Sequence, residues 1–240
     1  MNTLGILILF ITVLSFLVLD VALIRRLTDK KLYYPYSFLI SFAILFTARM
    51  SIKTYVIFHP ELINYDVIRY TLMLLYITGI SMLFLFFSTI RYQTDKILHK
   101  TFKVLMKMGM IFFPFVLILL VSHMGRSPQI EVEPWTPGFF QLMYKSPSHD
   151  GNTIFMFFYS IQFFFGLFFL NGVLNSHVKP LLKLVYVMLL MSVLIVLMIT
   201  GISSIGLDHP SIFQVLSKEI LQFATVVCAS VHFWREGEFI

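Results

Sequence analysis

Thr47-Ala48-Arg49-Met50-Ser51-Ile52-Lys53 sits inside an otherwise apolar segment. A charged side chain near the centre of a bilayer costs roughly 2.5–3.5 kcal/mol on insertion scales, so such residues face protein or a water-filled cavity. Arg49 and Lys53 are four apart and share one face of a helix. Other helices must therefore gather round that face, and the stretch reads as the polar heart of a membrane bundle.

Composition agrees. Of 240 residues, 58% are hydrophobic and 12% charged, against about 25% charged in an average soluble domain. Mean hydropathy is +0.87. A single cysteine, Cys228, excludes a disulfide framework and a thiolate metal site. None of the seven histidines falls near the middle of an apolar run, which argues against haem held inside a bundle. The net charge of +6 is no sign of nucleic-acid binding, because in such a chain Lys and Arg mainly set topology.

Seven apolar runs are near the roughly 20 residues that a spanning helix needs. They fall near 3–24, 37–58, 66–90, 102–123, 153–175, 181–206 and 211–234. The first follows only Met1-Asn2, without a basic n-region or a cleavage signal, and reads as a retained helix. The expected fold is all-α: one polytopic domain over 1–240, a seven-helix bundle. The first connection carries Arg25, Arg26, Lys30 and Lys31, the third Arg91, Lys96, Lys100 and Lys103, the fifth Lys179 and Lys183. The second and sixth carry no Lys or Arg. The positive-inside rule then places the N-terminus outside and the C-terminus in the cytoplasm, in a cytoplasmic or inner membrane.

The connection 124–152 is long, turn-rich at Pro134-Trp135-Thr136-Pro137-Gly138, and followed by the apolar Phe139-Phe140 and Leu142-Met143-Tyr144. It reads as a loop with no strong element of its own, folded over the outer mouth or lying in the interface. Asn2-Thr3 and Asn152-Thr153 share an offset with His59-Pro60 and His209-Pro210. That offset maps helices one to three onto five to seven, with helix four as a linker. Parallel repeats of this kind occur in transporters, SWEETs among them; the resemblance is one of layout, and no motif accompanies it.

Placed by depth, Arg49, Lys53, Arg69 and Lys218 are cations of the outer half, with Asp66, Glu219 and Gln222 beside them. Arg suits a carboxylate or phosphate bidentately and Lys adds a point charge. Arg49, Lys53, Arg69, Lys218, Glu219 and Gln222 are therefore the candidate ligand-binding residues of a pocket for an anionic small molecule or lipid. The competing interpretation is a structural ion-pair network, Arg49 with Glu219 and Arg69 with Asp66, that clamps helices two, three and seven. In the inner half, Asp20 and Lys107 make a sensible structural pair, and Asn171 and Asn175 can hydrogen-bond between helices.

Other chemistries find less support. Lys218 lacks the acidic counter-ion at its own depth that a retinal lysine needs. His59, His123, His149 and His209 show no metal-ligand spacing on one element. Ser203-Ser204 has no His or Asp at membrane depth, so no catalytic residues are assigned and an enzyme is not expected. No cofactor or metal is expected either. The phenylalanines of 155–158 and 163–165 read mainly as lipid-facing filler. The expected function is a receptor-like or sensory module with an outward-facing cationic pocket, signalling through a membrane or cytoplasmic protein partner. The alternatives are a small-solute transporter of three-one-three layout and a non-catalytic subunit of a larger membrane complex.

Overall fold

The computed structural model describes residues 3–29, 34–59, 61–62, 65–94, 104, 107–112, 114–116, 119, 129–135, 139–145, 149–204 and 212–235; the side chains of 121–156 and 199–219 lie outside that description. Helices α1 (Thr3–Asp29), α2 (Tyr34–Phe58) and α3 (Asp66–Thr94) open the chain. The short apolar helix α4 (Lys107–Val116) follows. Strands β1 (Gln129–Trp135) and β2 (Phe139–Lys145) come next, then α5 (His149–Leu174), α6 (Pro180–Ser204) and α7 (Ile212–Arg235). Among the described residues, three helices are long and apolar enough to cross a membrane, over Tyr36–Val56, Asp66–Thr89 and Pro180–Met198. A helix satisfies its backbone internally, as a span in lipid must.

The architecture is helical, as expected, apart from one two-stranded hairpin in the long connection. β1 and β2 pair antiparallel with Gln129 opposite Lys145 and Trp135 opposite Phe139, and β2 packs on α6. Gln129-Ile130-Glu131-Val132-Glu133 alternates polar and apolar, the period of a strand, and Pro137-Gly138 supplies turn chemistry. The long connection thus carries a hairpin where a loop without its own element was expected.

The helices close a ring. α1 packs on α2, α2 on α3, α3 on α5, α5 on α6, α6 on α7, and α7 back on α1. Substituting α5, α6 and α7 for α1, α2 and α3 maps this set of contacts onto itself. α1 shows how the sequence selects its packing face. Leu7, Phe10, Leu14, Val18 and Val21 are exposed, whereas Thr12, Phe16, Leu19 and Leu23 are buried. The exposed set is the apolar face that lipid would cover.

Two glycines let neighbouring helices approach closely. A Cβ on Gly79 of α3 would lie 2.7 Å from the ring of Phe46 of α2, and one on Gly166 of α5 would lie 2.6 Å from Cδ2 of Leu194 of α6. Small residues at such crossings are a common device of membrane helices. Pro180 opens α6, where its missing N–H costs nothing. Asn171 and Asn175 do not bridge helices as expected. Asn175 Nδ2 donates to Asn171 Oδ1 at 2.9 Å along the exposed face of α5.

At one end of the bundle, here the clasp end, the basic residues that finish α1 meet the finish of α7. Arg26 Nε donates to the Phe233 carbonyl at 2.7 Å and Nη2 to the Trp234 carbonyl at 2.8 Å. The Arg25 guanidinium stands 4.8 Å from the Trp234 ring centroid. Nearer this end, Tyr36, Phe86, Phe87 and Tyr186 form a buried aromatic cluster across α2, α3 and α6, with centroid separations of 5.6 Å for Tyr36–Phe86 and 5.5 Å for Phe86–Tyr186. The opposite end holds the turn between α2 and α3 and is here the turn end.

Candidate intramembrane ligand site

The candidate site lies around Arg49 of α2. Nine residues separate it from the end of α2 at Phe58, about 14 Å along the axis, which is close to half a bilayer core. Its guanidinium stands 4.7 Å from the Tyr76 ring centroid on α3 and 6.0 Å from that of Phe46. The aromatic faces supply the negative quadrupole that a poorly hydrated cation seeks. Arg49 Nε is buried and has no hydrogen-bond partner among the described residues. Guanidinium nitrogens are strong donors, so an anion can still gain from this group.

Tyr76 is also a wall of a narrow central cavity. Phe16 of α1, Phe46 of α2, Tyr76 of α3, Ser192 of α6, and Gln222 and Thr225 of α7 contribute to its lining. Its water-accessible space is about 20 Å³, room for a water molecule or two. The lining is mostly apolar, with Ser192, Gln222 and Thr225 as polar points. The Ser192 hydroxyl already donates to the Leu189 carbonyl at 2.8 Å, and that of Thr225 to the Leu221 carbonyl at 2.7 Å. Gln222 is the polar side chain there with a long reach.

Of the residues singled out from sequence, Arg49 lies on Tyr76 and Gln222 lines the cavity of which Tyr76 is a wall. Lys53, one turn beyond Arg49 towards the turn end, is buried with 6% of its surface exposed. Arg69 forms an ion pair with Asp66 in the first turn of α3, the partner that the clamp interpretation gives it. Arg69 and Tyr76 are seven apart, on one face of α3 and two turns from each other. Arg49, Lys53 and Arg69 thus climb from mid-bundle towards the turn end. The side chains of Lys218 and Glu219 lie outside the described residues, and so does the Arg49–Glu219 pairing.

Asp20 departs from its expected pairing with Lys107. The Thr47 hydroxyl of α2 donates to Asp20 Oδ2 at 2.7 Å, buried between the two helices. Asp20 Oδ1 is buried with no hydrogen-bond partner among the described residues. Sequence reading also missed the partnership of Arg49 with Tyr76. A usable signal was present: an aromatic residue on the next helix, at the depth of a cation that lacks an acid on its own helix.

The remaining candidates are modest. His59 Nδ1 lies 3.3 Å from Glu61 Oε1 and its ring stacks on Tyr55 at 4.6 Å, a contact at the surface of the turn end. No cluster of three metal-ligating side chains occurs among the described residues. His123 and the side chains of His149 and His209 fall outside them. On α5, Phe157, Phe164 and Phe168 are exposed as lipid-facing filler would be, whereas Phe169 is buried against Phe84 of α3 at 5.5 Å.

No model of a known protein family matches this sequence, and no curated protein matches it. Residue roles therefore rest on the geometry.

Proposed function

We propose that the protein is a seven-span membrane receptor-like module, N-terminus outside and C-terminus cytoplasmic, that takes a small anionic or amphipathic ligand from outside. The observation carrying this reading is the Arg49 guanidinium, held on Tyr76 beside the central cavity with its Nε lacking a hydrogen-bond partner among the described residues. A cation at that depth is expensive unless water, an acid or an anion relieves it. In this reading the ligand's anionic group meets Arg49 and its body lies against Phe46 and Tyr76, with Gln222 on the far wall. The cavity must widen to admit it, and that widening is the signal. Basic residues of the cytoplasmic connections pass the movement to a protein partner. Lipid covers the exposed face of α1.

One observation favours a transporter as the second reading. The ring of contacts repeats after three helices, and a carrier built from two parallel halves would place its substrate where the halves meet. Proteoliposomes separate the two. A carrier accumulates a labelled anion that also stabilises the protein, whereas a receptor binds that anion without moving it across. If no carboxylate, phosphate or anionic lipid binds at all, both readings fall and a ligand-free subunit of a complex replaces them.

A further inference from the structure

The Asp20–Thr47 contact is separate from the Arg49 site and asks for its own explanation. Asp20 is buried with 8% of its surface exposed, nine residues inside the clasp end of α1. Oδ2 accepts from Thr47, and Oδ1 has no donor among the described residues. Helices α2 and α7 are the ones packed on α1. On α2 the nearest cation, Arg49, is turned to Tyr76 of α3, and Lys53 lies a further turn away. On α7, Cys228 is exposed, His232 packs against Phe233, and Arg235 ends the helix at the clasp; the side chains of Lys218 and Glu219 are outside the described residues. Arg25 and Arg26 of α1 itself are engaged at the α7 terminus. No ion pair reaches Asp20 among the described residues.

A carboxylate in that seam would carry a full charge with one oxygen bare, in a medium that penalises charge far more than a neutral polar group. We propose that Asp20, seated on Thr47, is a proton-binding site inside the bundle. With the seam closed, Oδ1 carries the proton and the side chain is a neutral acid, while the Thr47 hydroxyl holds Oδ2. When α1 and α2 part, water reaches Oδ1, its O–H bond breaks, and the proton leaves as hydronium; the carboxylate that remains is stabilised by hydration. Closure runs the same transfer backwards. One proton thus exchanges for each opening of the α1–α2 seam, and no other reactant is needed. An intramembrane acid placed like this is a natural element of a proton-linked conformational change.

The test is infrared spectroscopy of the purified full chain in lipid nanodiscs at neutral pH, in light and heavy water. The expected result is a carbonyl band of a protonated carboxyl group that is lost in Asp20→Asn. In Thr47→Val the band should move to higher frequency, because the carbonyl oxygen loses its donor. Loss of a carboxylate band instead of a protonated one in Asp20→Asn would overturn the proposal. So would a protonated-acid band that neither substitution changes. If Asp20→Asn does not fold, the Thr47→Val spectrum decides alone: a shifted band supports the site and an unshifted or absent one refutes it.

Discussion

Arg26 of α1 donates to the carbonyl of Phe233 of α7 at 2.7 Å, although 207 residues separate them in the chain. The contact joins the C-terminal ends of both helices, so α1 and α7 run in the same direction. It also answers a local need. The last carbonyls of a helix lack intrahelical donors and carry the negative end of its dipole, and a guanidinium satisfies both. Arg26→Met should lower thermal stability in detergent by about 1.5–3 kcal/mol, the range for hydrogen bonds to a charged group. Arg26→Lys should recover only part of that, since a single ammonium cannot reproduce the fork that spans two carbonyls. Equal melting of all three proteins would show that the clasp contributes nothing.

The close helix crossings make a sharper comparison. Gly79→Ala and Gly166→Ala place a methyl within 2.7 Å and 2.6 Å of a neighbouring side chain. Each should cost about 1–3 kcal/mol, as overpacking does. Gly109 of α4 is the control, since a Cβ there meets nothing within 4 Å. Gly109→Ala should be neutral or stabilising by up to about 1 kcal/mol, the helix-propensity difference. Thermal unfolding of the three variants side by side checks the ranking.

The pattern of which features were legible in the sequence follows from what a linear string encodes. Helix positions were legible because apolar runs report them directly: 66–90 was expected and Asp66–Thr94 is observed, 181–206 expected and Pro180–Ser204 observed. Arg69 with Asp66 was legible too, because a pair three apart on one helix needs no tertiary knowledge. Asp20 with Thr47 was not. Their meeting depends on the rotation of two helices about their own axes, which hydropathy does not specify when apolar residues surround both. The seat of Arg49 on Tyr76 was hidden for the same reason. The hairpin was legible in the alternation of Ile130 and Val132 with glutamates, but Pro134, Pro137 and Gly138 drew attention to turns instead.

Topology is open to direct labelling. In a Cys228→Ser background, Gln129→Cys should react with a membrane-impermeant reagent added outside, and Gln93→Cys only when the reagent reaches the inside. The motive is the alternation of basic and uncharged connections. Equal labelling of both from one side would contradict the topology and every depth assigned from it.

The stacking of Arg49 on Tyr76 should be measurable as a coupling. Tyr76→Leu and Arg49→Met, alone and together, form a double-mutant cycle. A coupling of about 0.5–2 kcal/mol is expected for a cation on an aromatic face, with the upper part of the range where water is excluded. Additive effects would mean that the two side chains are neighbours without a shared energy.

Ligand binding at Arg49 is tested most directly by a thermal-shift titration of the purified protein with carboxylates, phosphates and anionic lipids. A ligand that binds only the folded state raises stability by RT ln(1 + [L]/Kd), about 2.7 kcal/mol at a hundredfold excess over Kd. The expected result is at least one anion that raises the melting temperature of the wild type in a concentration-dependent way, with that shift lost in a folded Arg49→Met protein. A wild type that no anion stabilises, or an Arg49→Met protein stabilised as strongly as the wild type, would contradict an anion site at Arg49.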